Sequence, residues 1–73
     1  MSDTFRMGQK VSWKWASGSA TGTIKERYER EVTRKIKGAE ITRNGNHDNP
    51  AYLIEQDGGD EVLKLASELK PAS

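Results

Sequence analysis

Apolar and polar side chains alternate along residues 10–15 of the chain. The two alternating sets are Val11, Trp13 and Trp15, and Lys10, Ser12 and Lys14. A period of two places these sets on opposite faces of a β-strand. Residues 16–19 then supply turn-forming serine and glycine, and residues 21–24 resume a β-like run. The pattern predicts the opening hairpin of a small β-barrel.

A second apolar series fits two periods at once. Its members are Ile24, Tyr28, Val32 and Ile36. Their spacing of four is helical, and Gly38 would suit the end of such a helix. The same positions are all even-numbered, so they line one face of a strand equally well, and the nearby threonines favour a strand. We therefore predict a strand over about 20–31, a bend, and a second strand over about 34–43.

Turn signals divide the rest of the chain into short elements. Asn44-Gly45 is a strong turn signal, and Pro50 favours an extended residue before it. The predicted elements are a loop over 43–50, a strand over 51–55, a turn over 56–60, a strand over 61–65 and one helical turn over 66–69 that plugs the barrel end. Five short strands without a crossover helix predict an all-β fold, a small antiparallel barrel.

Composition limits what such a barrel can do. Seventy-three residues form one domain over 1–73, with 33% hydrophobic residues and a correspondingly small core. We expect 1–6, with Phe5 as a possible tether, and 70–73 to be loose. Without cysteine the chain has no disulfide or thiolate zinc site, which fits a reducing compartment. No signal or membrane segment is visible, so we expect a cytoplasmic protein and no membrane partner.

Once the strands and loop are placed, several short motifs can be compared with known families. They are Gly8-x-x-Val11-x-Trp13, Gly18-x-Ala20-x-Gly22-x-Ile24, Ile36-Lys37-Gly38, Asp48-x-Pro50-Ala51-Tyr52-Leu53-Ile54-Glu55, Asp57-Gly58, Val62-Leu63-Lys64 and Ser67-Glu68-Leu69. In this order and spacing the chain resembles a bacterial family of hypervirulence-associated proteins with a Tudor domain. The resemblance implies a five-stranded, SH3-like barrel of the Tudor type. It implies no activity, because a fold does not imply a function.

Tudor-type barrels often hold methylammonium groups in an aromatic cage, by attraction between the cation and the ring faces. The aromatic residues available for a cage are Phe5, Trp13, Trp15, Tyr28 and Tyr52, with Asp48 or Glu26 as a carboxylate. The alternative is that these rings form the core. Three large residues on one face of the first strand cannot all fill so small a barrel, so one tryptophan should sit at its rim. The predicted rim pocket and loop site comprises Trp13, Trp15, Tyr28, Asn44, Asp48 and Tyr52.

His47 and Asp48 raise the question of a metal site or an acid–base pair. Metal sites usually need three or four ligands, and the chain has one histidine and no cysteine. A structured turn, in which Asn44, Asp48 and Asn49 side chains bond local backbone, explains the loop more simply. No nucleophile–base pair is evident either. We therefore expect no enzyme, metal, cofactor or small-molecule substrate.

Basic residues cluster in one part of the chain. Residues 25–37 carry six cations against three carboxylates, whereas 40–68 carry two cations against seven carboxylates. These charges either pair within the fold or form a functional basic surface. The cations that could bind nucleic acid beside Tyr28 are Lys25, Arg27, Arg30 and Arg34.

The sequence favours a non-catalytic binding module whose partner is a protein or peptide. Binding could use the rim pocket or an exposed strand edge, to which a peptide adds through backbone hydrogen bonds. Nucleic-acid binding through 25–37 is the first alternative. A structural or stress-related protein without a defined ligand is the second.

Overall fold

The computed structural model of the chain describes residues 5–15 and 18–72, which form two antiparallel β-sheets. The elements are β1 (Lys10–Trp15), β2 (Gly18–Tyr28), β3 (Glu31–Ile36), β4 (Ala39–Asn44), β5 (Ala51–Gln56), β6 (Glu61–Leu65), a 3-10 turn (Ala66–Glu68) and β7 (Lys70–Pro71). Five strands build the larger sheet in the order β6-β5-β2-β1-β7, and β3 pairs with β4 in the smaller one. The all-β prediction is therefore confirmed, and the architecture is consistent with a small Tudor-like fold.

Barrel closure was predicted, and it is absent among the described residues. The two sheets pack together, but no strand ladder joins β3 or β4 to the larger sheet. Ion pairs link them instead: Lys37 Nζ lies 3.1 Å from Asp60 Oδ2, and Arg43 Nε lies 3.3 Å from Glu68 Oε1. The smaller sheet is thus a hairpin inserted between β2 and β5 and laid against the larger sheet.

The single strand predicted over 34–43 is wrong, because the chain reverses at Lys37-Gly38. Both residues have positive φ, 52° and 80°. A two-residue loop with this backbone matches the right-handed twist of the strands on either side, which is why it closes hairpins. Glycine adopts positive φ readily, but lysine rarely does, so Lys37 does not indicate a turn in the sequence.

A β-bulge in β2 overturns the prediction that Ile24 and Tyr28 share a face. The register between β2 and β5 shifts between Ile24 and Glu26. Ile24 is paired with Ile54, but Tyr28 is paired with Ala51. Because Ile54 and Ala51 point to opposite faces of β5, the extra residue moves Tyr28 to the other side of the sheet.

The larger sheet therefore has a buried cluster on each face. The first cluster contains Phe5, Val11, Trp13, Ile24, Tyr52, Ile54, Ala66 and Leu69. The second contains Tyr28, Val32, Ala51, Leu53 and Leu63, and the half-buried Ile36 and Ile41 of the hairpin pack against it. β5 contributes alternate residues to both, so both of its faces are covered. The 3-10 turn, predicted as one helical turn, contributes Ala66 to the first cluster.

Part of the N-terminal arm packs on the first cluster. The ring centroids of Phe5 and Tyr52 lie 5.7 Å apart in an edge-to-face arrangement, and the Phe5 N–H donates to Tyr52 Oη at 2.8 Å. At the other end of the chain, Lys70 and Pro71 pair with β1. Residues 1–4 and 73 also belong to the segments expected to be loose, and they lie outside the described residues. No helix in the described ranges is long and apolar enough to cross a membrane.

Candidate functional site

The aromatic residues proposed for a rim pocket are not brought together. Trp13 and Tyr52 lie in the first core cluster, with only 5% and 0% of their surface exposed. Tyr28 lies in the second cluster, across the sheet. Trp15 stands apart, with 59% of its surface exposed. The described rings do not form a cage: four lie in the two core clusters, and Trp15 is the tryptophan that lies outside the core.

Trp15 ends β1 beside an open strand edge. Ile24 N–H donates to Gln9 C=O, so the odd-numbered residues of β1 direct their backbone groups toward β2. Ala72 N–H donates to Lys10 C=O, so the even-numbered residues face β7. Within the described chain β7 pairs only with Val11 and Ser12. The N–H and C=O of Lys14 therefore point to an edge that β7 does not reach.

A groove lies where β7 leaves β1. Its volume is about 290 Å³, and its lining residues are Ser12, Trp13, Lys14, Ser19, Glu68 and Lys70. Glu68 is already engaged, because its carboxylate accepts the Leu65 N–H at 2.7 Å and pairs with Arg43. The groove therefore combines an open backbone edge with two lysine side chains.

The loop after β4 is structured, but of the three side chains predicted to hold it only Asn49 does so, together with Asn46. Asn46 Oδ1 accepts the N–H groups of Asp48 and Asn49 at 2.9 and 2.8 Å, which closes an Asx turn. Asn49 then ties the loop to the 3-10 turn: its Oδ1 accepts Ser67 N–H at 2.9 Å and its Nδ2 donates to Ser67 Oγ at 3.2 Å. Asn44 and Asp48 are both exposed.

Gly45 lets this loop pack closely on the strand ends. A Cβ at this position would lie 2.5 Å from Tyr28 O and 2.7 Å from Ala51 N, and both are backbone atoms. Such contacts cannot be relieved by rotating a side chain. The start of the loop is therefore held close against the ends of β2 and β5.

Three of the six cations of the basic arm, residues 25–37, form ion pairs. Lys25 Nζ lies 3.4 Å from Glu55 Oε1, and Arg27 is paired with Glu29. The hydrogen bond from Arg27 lowers the pKa of the Glu29 carboxyl and raises the pKa of the guanidinium. His47 Nδ1 lies 3.6 Å from Glu29 Oε1, and this contact is an ion pair only when the histidine is protonated. Two of the four cations predicted to bind nucleic acid are thus already paired.

The other two cations stack on a buried ring. The Cζ atoms of Arg30 and Arg34 lie 5.4 and 5.3 Å from the centroid of Tyr28, and Arg34 also donates to Tyr28 Oη. Because only 8% of Tyr28 is exposed, its face is not available to stack a nucleic-acid base. The arginines seal the second core cluster at the β2–β3 turn.

A set of lysines that sequence reasoning missed lies on the outer face of the sheet. Lys10, Lys14 and Lys70 share the face opposite the first core cluster, since Lys70 is paired with Ser12 and Lys10 and Lys14 flank Ser12 on β1. All three are exposed, and no carboxylate of the described residues lies within 4.0 Å of their amino groups. The alternation of β1 contained this signal, but Lys70 reaches the face only through tertiary pairing.

The described residues contain no group of three or more histidine, aspartate or glutamate side chains placed to hold a metal ion. The site can instead bind another molecule in three ways. The open backbone edge can form hydrogen bonds, Trp15 can make apolar contacts, and the unpaired lysines can attract negative charge.

Comparison with known proteins agrees with the fold. The family model described as "Hypervirulence associated proteins TUDOR domain" matches residues 8–69. Neither the curated proteins nor the solved structures contain a significant match to the chain. Tudor-type domains are generally non-catalytic binding modules for proteins or nucleic acids. The match spans most of the chain, which therefore belongs to the family of hypervirulence-associated protein Tudor domains.

Proposed function

We propose that this chain is a non-catalytic binding module that takes an extended peptide segment of a partner protein along the open edge of β1. The observation that carries the proposal is the backbone of Lys14, whose N–H and C=O face an edge that β7 leaves unpaired in the described chain. An added strand would satisfy both groups and extend the sheet past the end of β7.

Trp15 supplies the apolar contact for such a strand. It adjoins Lys14 and, at 59% exposed, is one of two large hydrophobic residues exposed in the described part of the chain, together with Met7. Tryptophan is enriched among the residues that dominate protein–protein binding. In a paired strand its ring would cover the neighbouring side chain of the peptide on the same face. The arrangement supports recognition of an extended segment with an apolar residue beside Trp15.

An edge this short is also protected against uncontrolled pairing. β7 covers Val11 and Ser12, and Lys14 places a charge on the part that remains open. Natural proteins use short edges and lysines to prevent aggregation. The same features restrict the site to a short segment, so we expect weak to moderate affinity.

The test begins with peptides selected from a phage-displayed library of random heptapeptides and uses two variants of one residue. Lys14→Pro removes the outward N–H while leaving the bonds from odd-numbered residues to β2 in place, and Lys14→Ala keeps the N–H. We expect binding, measured by calorimetry, to be lost in Lys14→Pro and largely kept in Lys14→Ala. Trp15→Ala should weaken binding without unfolding the domain, and Met7→Ala should leave it unchanged.

A backbone-modified peptide provides a second measurement if Lys14→Pro does not fold. An N-methyl group on the peptide residue opposite Lys14 should abolish binding, whereas the same group on the next residue should be tolerated because its N–H points away. Equal binding of both methylated peptides, or a library that yields no binder, would rule out strand addition at this edge.

A further inference from the structure

Three of the four lysines without an ion pair in the described chain lie on a sheet face that the hairpin leaves uncovered. The bulge in β2 divides the outer side of the larger sheet: beyond it the hairpin covers Tyr28 and Leu53, and before it the surface over β7, β1 and the start of β2 is open. The side chains on this open face, called the lysine face below, are Lys10, Ser12, Lys14, Ser19, Thr21, Thr23 and Lys70. Three cations are thus interspersed with four hydroxyl groups.

Nearby carboxylates do not neutralise the lysine face. Glu55 borders it beside Thr23, but its carboxylate pairs with Lys25. Glu68 lines the groove beside Lys70, but it pairs with Arg43 and Lys64. The lysine face therefore keeps a local positive charge even though the net charge of the chain is only +1.

We propose that the lysine face binds single-stranded nucleic acid through its phosphates, without reading the bases. Lysine ammonium groups and serine or threonine hydroxyls are common phosphate contacts in proteins. Lys10 and Lys14 are about 13 Å apart along β1, at about 3.3 Å per residue, so the face spans several phosphates. The groove between Lys14 and Lys70 provides a recess along this path.

The chemistry of the face favours a polyanionic strand over an acidic protein. None of its described side chains is aromatic or aliphatic, whereas protein interfaces depend on large, buried apolar anchors. The peptide site differs in this respect, because Trp15 points to the opposite side of the sheet from Lys14. The two proposals therefore rest on different observations and can fail separately.

The test measures how salt affects the binding of a fluorescent oligodeoxythymidine of about 12 nucleotides, a length suited to small single-strand sites. Three phosphate contacts predict a slope of about −2 for log K against log salt, or a roughly 15-fold loss of affinity between about 50 and 200 mM salt. The triple variant Lys10→Gln, Lys14→Gln, Lys70→Gln should bring the slope close to zero.

A second triple variant controls for net charge. Lys35→Gln, Lys37→Gln and Lys64→Gln remove the same charge from lysines of the hairpin and of β6, which lie off the face. This variant should keep the slope, and Trp15→Ala should also bind the oligonucleotide normally. Equal losses in the two triple variants, or no binding by the wild type, would overturn the proposal. Tighter binding of polyglutamate than of the oligonucleotide would do the same and would indicate an acidic protein partner.

Discussion

Single residues show how little room this small domain leaves at its centre. Gly22 lies on β2 opposite Gln56 of the neighbouring β5, and a Cβ there would sit 2.6 Å from Ile54 Cγ2 and 2.8 Å from Glu55 O. The second contact is with backbone and cannot move away by rotation. At Gly18, on the same strand, a Cβ would meet no atom within 4 Å. Gly22 can therefore be tested by substitution, with Gly18 on the same strand as the control.

We expect Gly22→Ala to lower the free energy of unfolding by about 1–3 kcal/mol, the usual cost of overpacking. Gly18→Ala should change it by less than about 0.5 kcal/mol, as surface substitutions do. Urea unfolding of both variants provides the measurement. Equal stabilities would mean that β2 and β5 do not approach as closely as described.

The two tryptophans make an equally direct contrast. Truncating the buried Trp13 to alanine should cost about 3–5 kcal/mol. This is comparable to the whole stability expected of so small a core, so Trp13→Ala should be largely unfolded. Trp15→Ala should keep the wild-type unfolding free energy within about 0.5 kcal/mol. Circular dichroism and urea titration would check this, and an unfolded Trp15→Ala would contradict the exposed position of that ring.

Individual elements differ in how well the sequence predicts them. β1 and β6 begin and end at the predicted residues, because turn residues flank both strands and β1 also alternates strictly between apolar and polar residues. The bulge after Ile24 and the turn at Lys37-Gly38 were missed, because most residue types can occupy a bulge and lysine rarely adopts positive φ. These two features explain the incorrect strand over 34–43 and the dispersed rim pocket.

The β2–β3 turn carries a pH-dependent contact. Arg27 lowers the pKa of Glu29 below its ordinary value of 4.5, so the pair stabilises the fold above that pH and its contribution disappears as pH falls through the lowered pKa. Glu29→Gln should therefore destabilise the protein at neutral pH but not at an acidic pH below the lowered pKa of the wild-type carboxyl. Unfolding curves at both pH values test this.

Glu31→Gln is the control for that measurement. The Glu31 carboxylate makes no ion pair with any described residue, so its removal should have a similar small effect at both pH values. If Glu29→Gln and Glu31→Gln behaved alike across the range, the pair with Arg27 would not contribute to stability.

At the scale of the whole molecule, the inserted hairpin separates a covered from an open half of the sheet. It buries the Tyr28 side and leaves the lysine face and the end of β1 exposed. Sequence reasoning placed the basic site on residues 25–37 because cations cluster there along the chain. The fold pairs or stacks the four arm cations considered and leaves Lys10, Lys14 and Lys70 without a described carboxylate. The alternation of β1 places Lys10 and Lys14 on one face, but only tertiary pairing brings Lys70 beside them, so local sequence could not reveal the whole face.

The most direct test of this account is a residue-resolved amide spectrum of labelled protein, titrated separately with the selected heptapeptide and the oligodeoxythymidine. The account predicts that the peptide shifts amides around Lys14 and Trp15, and that the oligonucleotide shifts those of Lys10, Thr21 and Lys70 in a salt-dependent way. Shifts centred on residues 25–37 with either probe would contradict it, because they would return the binding surface to the arm in which Lys25 and Arg27 are ion-paired and Arg30 and Arg34 stack on Tyr28.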